Sequence, residues 1–531
     1  MTSSISTSRS KALGVAASVA LAACLLSAQQ AVAAVPGIRG PNFTLVASPG
    51  YSSQPDGASV YSWGYGCATG SGSLTPNLVP FAGSCPAMQL PGPTLIVTQG
   101  ETVTVKLTNK LPAAAGNTSI LFAGFQAGSL PTDPGVPGVL TKEAASGGTV
   151  TYQFVATTPG THAYYSGTLP DLQIEMGLFG AIVVLPSASY AAPPSCKKGQ
   201  YSLAVAAYDN DSTCYDREYL FQLSEMDSRI HDRALAAVNA CPNAPCPPVV
   251  VRTEPYTPNY FLLNGRSMPD DMDSPYAPGY PSQPYNANPH MHPGEKLLMR
   301  VIGQGRWQHP FHFHGNHARV LARDGNLMLS KLDVGKPRAQ QALAGPLLFT
   351  TPTVPGQSQD QIFTWTGKGL NWDVYNHLAK CAAGSAKNAG LRCVRDADCG
   401  GVAASCVDSA TAGQACTPDA SGYHSVATDP NHGEWCADHR KAIPATPPDP
   451  SIVANGQWYG GTPYLGLQSV DTGYTATPEA PGTLNQNPEA GYAYMWHSHN
   501  EREITTNDVF PGGIMSMLLI DPPSWFIDEN R

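Results

Sequence analysis

The sequence predicts an all-β fold of more than one domain, and three observations carry that expectation. Glycine and proline are abundant (52 and 49 residues), which favours many turns over long helices. Short runs alternate apolar and polar residues at period two, whereas helical periodicity is weak outside 226–240. The length, 531 residues, exceeds one ordinary domain, and a hydrophobic share of 42% suffices for sizeable cores.

Taken in order, residues 93–108 (PTLIVTQGETVTVKLT) read as strand, Gln99-Gly100 turn and strand. Residues 149–157 alternate again. Residues 178–186 read as a buried strand ending at Pro186, and 187–199 as a linker. The second half opens with strands near 201–207 and 218–223. Strands follow at 260–266, 296–302, 312–322 and 360–366, with a closing strand at 514–520. The stretch 378–447 breaks the pattern. It gathers Cys381, Cys393, Cys399, Cys406, Cys416 and Cys436 among Gly, Ala, Ser and Asp, and reads as a disulfide-stapled surface insertion.

The first residues read as an export signal. Arg9 and Lys11 form a positive start, an apolar run follows, and Ala31-Val32-Ala33 is a small-residue cleavage signature, so residues 1–34 are expected to be removed. Leu21-Ala22-Ala23-Cys24 is a rival lipoprotein box, which would leave Cys24 lipidated. Either reading puts the chain outside the cytoplasm, in the periplasm, at the cell surface or in the medium. No other segment has the run of about 18 apolar residues that spans a bilayer. Twelve cysteines remain after Cys24, an even number that suits disulfides in an oxidising compartment. The near neighbours Cys67/Cys85, Cys196/Cys214 and Cys241/Cys246 are the candidate pairs. A net charge of −9 without any Lys/Arg run argues against nucleic acid as a partner.

Two histidine groups carry the chemistry: His309-Pro310-Phe311-His312-Phe313-His314-Gly315-Asn316-His317 and Trp496-His497-Ser498-His499. On a strand, residues i and i+2 share a face. His312 and His314 therefore project together, as do His497 and His499, and on neighbouring strands four imidazoles converge. Neutral imidazoles suit copper, zinc or iron. His317 is a candidate for orienting a ligand. His290-x-His292 is a weaker same-face pair, His162 reads as a hydrogen-bonded surface histidine, and Glu501, Glu503 and Asp508 read as a solvated acidic loop.

HPFHFHGNHARVLARDG (309–325) resembles the third copper motif of the multicopper oxidase superfamily. PGPTLIVTQGETVTVKLTN (91–109), GTHAYYSG (160–167) with GLFGAIVV (177–184), YFLLNGR (260–266) and WHSHNE (496–501) are similar to further family segments in the same order. The resemblance implies cupredoxin-like Greek-key β-barrels and copper. It implies two barrels, 36–186 and 197–525, the second holding the 378–447 insertion. Three is the alternative count, but YFLLNGR stands too close to HPFHFHG for a separate middle domain. The departures are specific. Leu121-Phe122-Ala123-Gly124 stands where the family has His-x-His-Gly, and Tyr165-Ser166-Gly167 where it has two histidines around a serine. Ser498 replaces the cysteine whose thiolate defines a blue type 1 copper, and Glu503 falls where a further histidine ligand is expected. By the family pattern His309 is a blue-site ligand; opposite Ser498 it is expected to be structural.

Two functions compete. One is a copper-dependent oxidoreductase with a four-histidine site (His312, His314, His497, His499), acting on a small molecule or a metal ion. A homo-oligomer could complete its site, as two-domain relatives build clusters between protomers. The other is a non-catalytic copper-binding, copper-resistance or cell-surface scaffold protein that retains the fold.

Overall fold

The computed structural model describes residues 35–68, 77–79, 85–199, 202–242, 245–247, 250–368, 461–464, 491–521 and 527, with short pieces between 380 and 434. The export signal and Cys24 lie outside the described residues, as does most of the 378–447 insertion. Among the described residues no helix is long and apolar enough to cross a membrane.

The expected all-β class is what the chain adopts. One sheet of the first unit orders the strands Gly37–Arg39, Leu95–Thr98, Phe179–Leu185, Gly160–Tyr165 and Leu121–Phe122; its partner orders Ser59–Cys67, Asn42–Ser53, Thr102–Asn109, Thr149–Val155 and Gly128–Ser129. Thr102–Asn109 shows why these residues form a sheet face. Val103, Val105, Leu107 and Asn109 are buried while Thr102 and Lys106 are exposed, the period-two pattern of a strand with one face on a core. Asn42–Ser53 runs antiparallel to Ser59–Cys67 but parallel to Thr102–Asn109, so the sheet is laced by crossovers and not by hairpins alone.

The second unit has the same plan. One sheet orders Tyr260–Leu263, Arg217–Met226, Lys296–Gly303, Ser358–Thr364 and Ala318–Arg323; the other orders His290–Met291, Met515–Ile520, Gly491–Ser498, His309–Phe313 and Thr350–Thr353. Phe221, Leu263, Phe311, Phe313, Phe363 and Trp496 fill the space between them. The helix expected over 226–240 is Ser228–Ala240, capped by Asp227, whose side chain accepts from the backbone N–H of Arg229. It reaches back to the first unit, where Ile230 and Ala234 join the core.

The units share an interface, which explains two strands buried along their whole length, Phe179–Leu185 and Arg217–Met226. Ile96, Ala163, Ala181 and Val183 of the first unit pack against Leu220 and Ile302 of the second. Polar chemistry bridges the same seam. Asp360 accepts from the backbone N–H of Thr161 (3.0 Å), its hydroxyl (2.6 Å) and Tyr208 (2.6 Å). Arg300, fully buried, pairs with Glu218 at 2.8 Å.

Two expected strands differ in the structure. Residues 202–207 form no strand beyond an isolated Ala206–Cys214 bridge; Glu218 accepts from the Leu203 N–H and the Thr213 carbonyl from that of Ala207. Residues 312–322 are two strands, broken at Gly315, whose φ of 100° lies in the region glycine favours. Cys67–Cys85, Cys196–Cys214 and Cys241–Cys246 are bonded, as is Cys381–Cys399 within the insertion.

Removing Asp360 leaves the buried Thr161 and Tyr208 donors without their acceptor and leaves Arg300 with Glu218 alone. Asp360→Ala is expected to cost roughly 3–5 kcal/mol in urea unfolding; a loss below about 1 kcal/mol would show that the seam is held by apolar contact alone.

Candidate metal centre

Register builds the site. His309–Phe313 lies antiparallel to Gly491–Ser498 with Phe311 opposite Ser498, His312 opposite His497 and Phe313 opposite Trp496. Alternation then sorts the side chains. Phe311, Phe313 and Trp496 enter the core, and His312 and His497 stand together on the other face. His314 follows just past the strand end. The ring of His312 lies 4.9 Å from that of His314, 5.4 Å from His497 and 4.9 Å from His499; His314 and His497 are 5.2 Å apart. One ring nitrogen each from His312, His314 and His497 falls within 4.8 Å of the others. His499 is the exposed member of the four.

The rings are oriented from behind. His312 Nδ1 lies 2.7 Å from Thr350 Oγ1, and His497 Nδ1 lies 2.7 Å from the Ser498 carbonyl oxygen. The carbonyl only accepts, so His497 carries its proton on Nδ1 and presents a lone pair at Nε2. That atom stands 3.3 Å from Nε2 of His314. Two imidazole nitrogens on one zinc-sized ion, each about 2.0 Å from it at a tetrahedral angle, stand about 3.3 Å apart. Burial, then the neighbouring imidazoles His314, His497 and His499, lower His312 to about 4. Burial also lowers His497, against the Ser498 carbonyl. Both rings are therefore neutral at pH 7, the form that binds metal.

His309 does something else. Its Nδ1 lies 2.8 Å from Glu503 Oε2 and its Nε2 lies 2.9 Å from Glu225 Oε2, with all three side chains buried. Ser498 shares that inner face and donates to the same Glu503 oxygen at 2.5 Å. Glu225 also accepts from the backbone N–H groups of Arg306 (2.6 Å) and Trp307 (2.9 Å). Burial opposes charge on His309, but the hydrogen bonds and charges of Glu225 and Glu503 outweigh it and raise the ring to about 9. His309 is thus an imidazolium between two carboxylates, with neither nitrogen left for a metal. The expectation of a solvated Glu503 is corrected: it is 1% exposed, while Glu501 and Asp508 are exposed.

The remaining candidates disperse. The His317 ring stacks edge-on against Phe349 at 4.9 Å, and Phe349 also touches His312 at 5.7 Å. His290 and His292 face separate carboxylates, Asp521 at 2.7 Å and Glu295 at 3.4 Å. His162 is buried, not on the surface, 3.0 Å from the Thr158 carbonyl. In the first unit Leu121 pairs with Tyr165 across adjacent strands, and the Tyr164 hydroxyl donates to the Pro93 carbonyl. Sequence reasoning missed Glu225 and Thr350; the signal for Glu225 was its place, with Glu218, as one of two acidic residues in an otherwise largely apolar strand.

Residues 86–189 match the profile of the multicopper oxidase family. Curated relatives include an L-ascorbate oxidase of Brassica rapa subsp. pekinensis (35% identical over 96 residues, 18% of this chain and 16% of that protein) and laccase-2 of Botryotinia fuckeliana (41% over 96 residues, again 18% and 16%). These matches support a place in the multicopper oxidase superfamily. It spans 16% of the length of these two relatives. Among solved structures, a blue copper oxidase from Nitrosomonas europaea aligns at TM-score 0.44 and 15% identity over 90% of this chain and 85% of that one. The matched residues lie in the first unit; the four histidines lie outside them.

Because the folded His309 proton is held more tightly than in an unfolded chain, its stabilising contribution is full below about pH 6.5 and disappears as pH rises through about 9. Histidine ring NMR should find His309 still protonated at pH 8; titration at the ordinary value near 6.5 would contradict the clamp.

Proposed function

We propose that this is an exported copper protein of two cupredoxin-like units, about 36–186 and 197–525, that holds copper through His312, His314, His497 and His499. In this reading it is an oxidoreductase without a blue type 1 copper. The observation that carries the reading is the convergence of three imidazole nitrogens within 4.8 Å on hydrogen-bonded strands. The donor set is all imidazole, with His312 and His497 held toward the neutral form and pinned by Thr350 and the Ser498 carbonyl, which fits copper and also zinc or iron. The family name of the match, multicopper oxidase, favours copper among these. Copper there supplies a one-electron redox couple for a small molecule or metal ion. His499 and the half-exposed Phe349 (51%) are the surface such a substrate meets.

The chain's own residues argue against the full family chemistry. Leu121, Ala123, Tyr165 and Gly167 stand where the first-unit histidines belong, and none supplies a nitrogen or thiolate ligand. Ser498 has a hydroxyl engaged by Glu503 where a type 1 site needs a thiolate. The second reading, a non-catalytic copper-binding or scaffold protein, draws its support from these same first-unit positions. Association with a second copy would not restore the missing first-unit ligands.

Protein purified from its exported compartment should contain copper at about one equivalent or more per chain, and His312→Ala should lose it with circular dichroism unchanged. Metal-free wild-type protein would favour the scaffold. Copper-loaded protein should also lack the intense thiolate-to-copper blue absorption; a strong blue band would contradict the assignment of Ser498.

A further inference from the structure

We propose that His309, Glu225, Glu503 and Ser498 form a positioning lock on the reverse side of the histidine centre, through which the metal affinity of that centre is coupled to pH. The inference rests on the reading of the four histidines as metal ligands.

The lock is continuous. Glu503 Oε2 takes both His309 Nδ1 and the Ser498 hydroxyl, and its Oε1 accepts from the Asn500 side chain at 2.8 Å. Glu225 holds the other nitrogen of His309 and belongs to the opposite sheet, on Arg217–Met226. A ring that meets a carboxylate at each nitrogen has to donate from both, so one proton ties the two sheets together. Among the described residues, the other contacts of His309 are uncharged: Phe261 edge-on at 6.4 Å, and Thr353 on its own backbone. Behind Glu225 stand Tyr256 (3.1 Å), the Glu175 carboxyl that Tyr256 also meets at 2.6 Å, and the Arg306 guanidinium over the Tyr256 ring.

The ligands hang on this lock at two points. Ser498 sits between His497 and His499, and its carbonyl orients the His497 ring. The His499 N–H donates to the carbonyl of Pro310, the residue after His309 (2.9 Å). Ser498 and Glu503 occupy the two positions where the family pattern puts cysteine and histidine. Together with His309 they form a proton-bridged contact in place of ligands. Loss of the His309 proton leaves a neutral ring that can donate to one carboxylate only. The other carboxylate then faces a nitrogen lone pair, and the segment carrying His497 and His499 is freed on that side. Because binding and protonation share this segment, each alters the other by the same factor.

The test is copper(II) affinity of the full-length protein, measured by chelator competition at pH 7 and pH 10, with the paramagnetic resonance spectrum at each. Wild type should lose about tenfold or more in affinity at the higher pH, on the scale of partners that orient metal ligands. H309Q should be weaker by a similar factor at pH 7 and nearly flat between the two values. S498A, which keeps the His309 charges but unhooks the ligand segment, should also flatten the profile and alter the spectrum; it decides the matter if H309Q does not fold. Variants matching wild type in affinity, spectrum and pH dependence would overturn the lock while leaving the copper reading intact. Wild-type protein that takes up no copper would overturn both.

Discussion

The register that sets His312 opposite His497 is the constraint on which the rest of the molecule depends. A strand offers two faces, and one residue of slip exchanges them. In the observed register Phe311, Phe313 and Trp496 fill the core. The same alternation presents His312 and His497 together on one side and sends His309 and Ser498 to the other. The packing preference of three large aromatics thus fixes where the imidazoles stand. Slipping the pair would put histidines in the core and aromatics in the cleft, so the apolar side of the ribbon specifies its polar side.

Two kinds of charge chemistry therefore share one ribbon. On one face, burial and mutual repulsion keep His312 and His497 neutral and available as ligands. On the other, two carboxylates overcome burial and keep His309 charged. An isolated buried carboxylate or imidazolium is costly, whereas a hydrogen-bonded imidazolium between two carboxylates meets its own demand for partners. The seam between the units uses a related solution, with buried Arg300 paired to Glu218 at 2.8 Å and Asp360 nearby at 3.9 Å.

Much of this was legible in the sequence because it obeys periodicity. The alternation of TVTVKLT, the apolar run FGAIVVL and the His-x-His spacing each map directly onto a face of a strand. The near-neighbour disulfides were legible for a similar reason, short loop length. What sequence could not give was long-range pairing of polar groups. Glu225 and His309 stand 84 positions apart, and nothing local marks Glu225 as the acceptor of a buried proton. Glu503 was misread as solvated because its loop is acidic, although its coincidence with an expected ligand position was the clue. Gly315 hid in a run that looked like one strand, and the backbone of 202–207 is met by Glu218, the Tyr215 hydroxyl and a single bridge to Cys214 in place of a full sheet neighbour.

The most direct test of the account is anomalous diffraction at the copper edge from crystals grown with copper. The account predicts a peak within bonding distance of His312, His314 and His497, and none between His309 and Ser498. A peak beside His309 and Ser498, or no peak among the paired histidines at full copper loading, would contradict it.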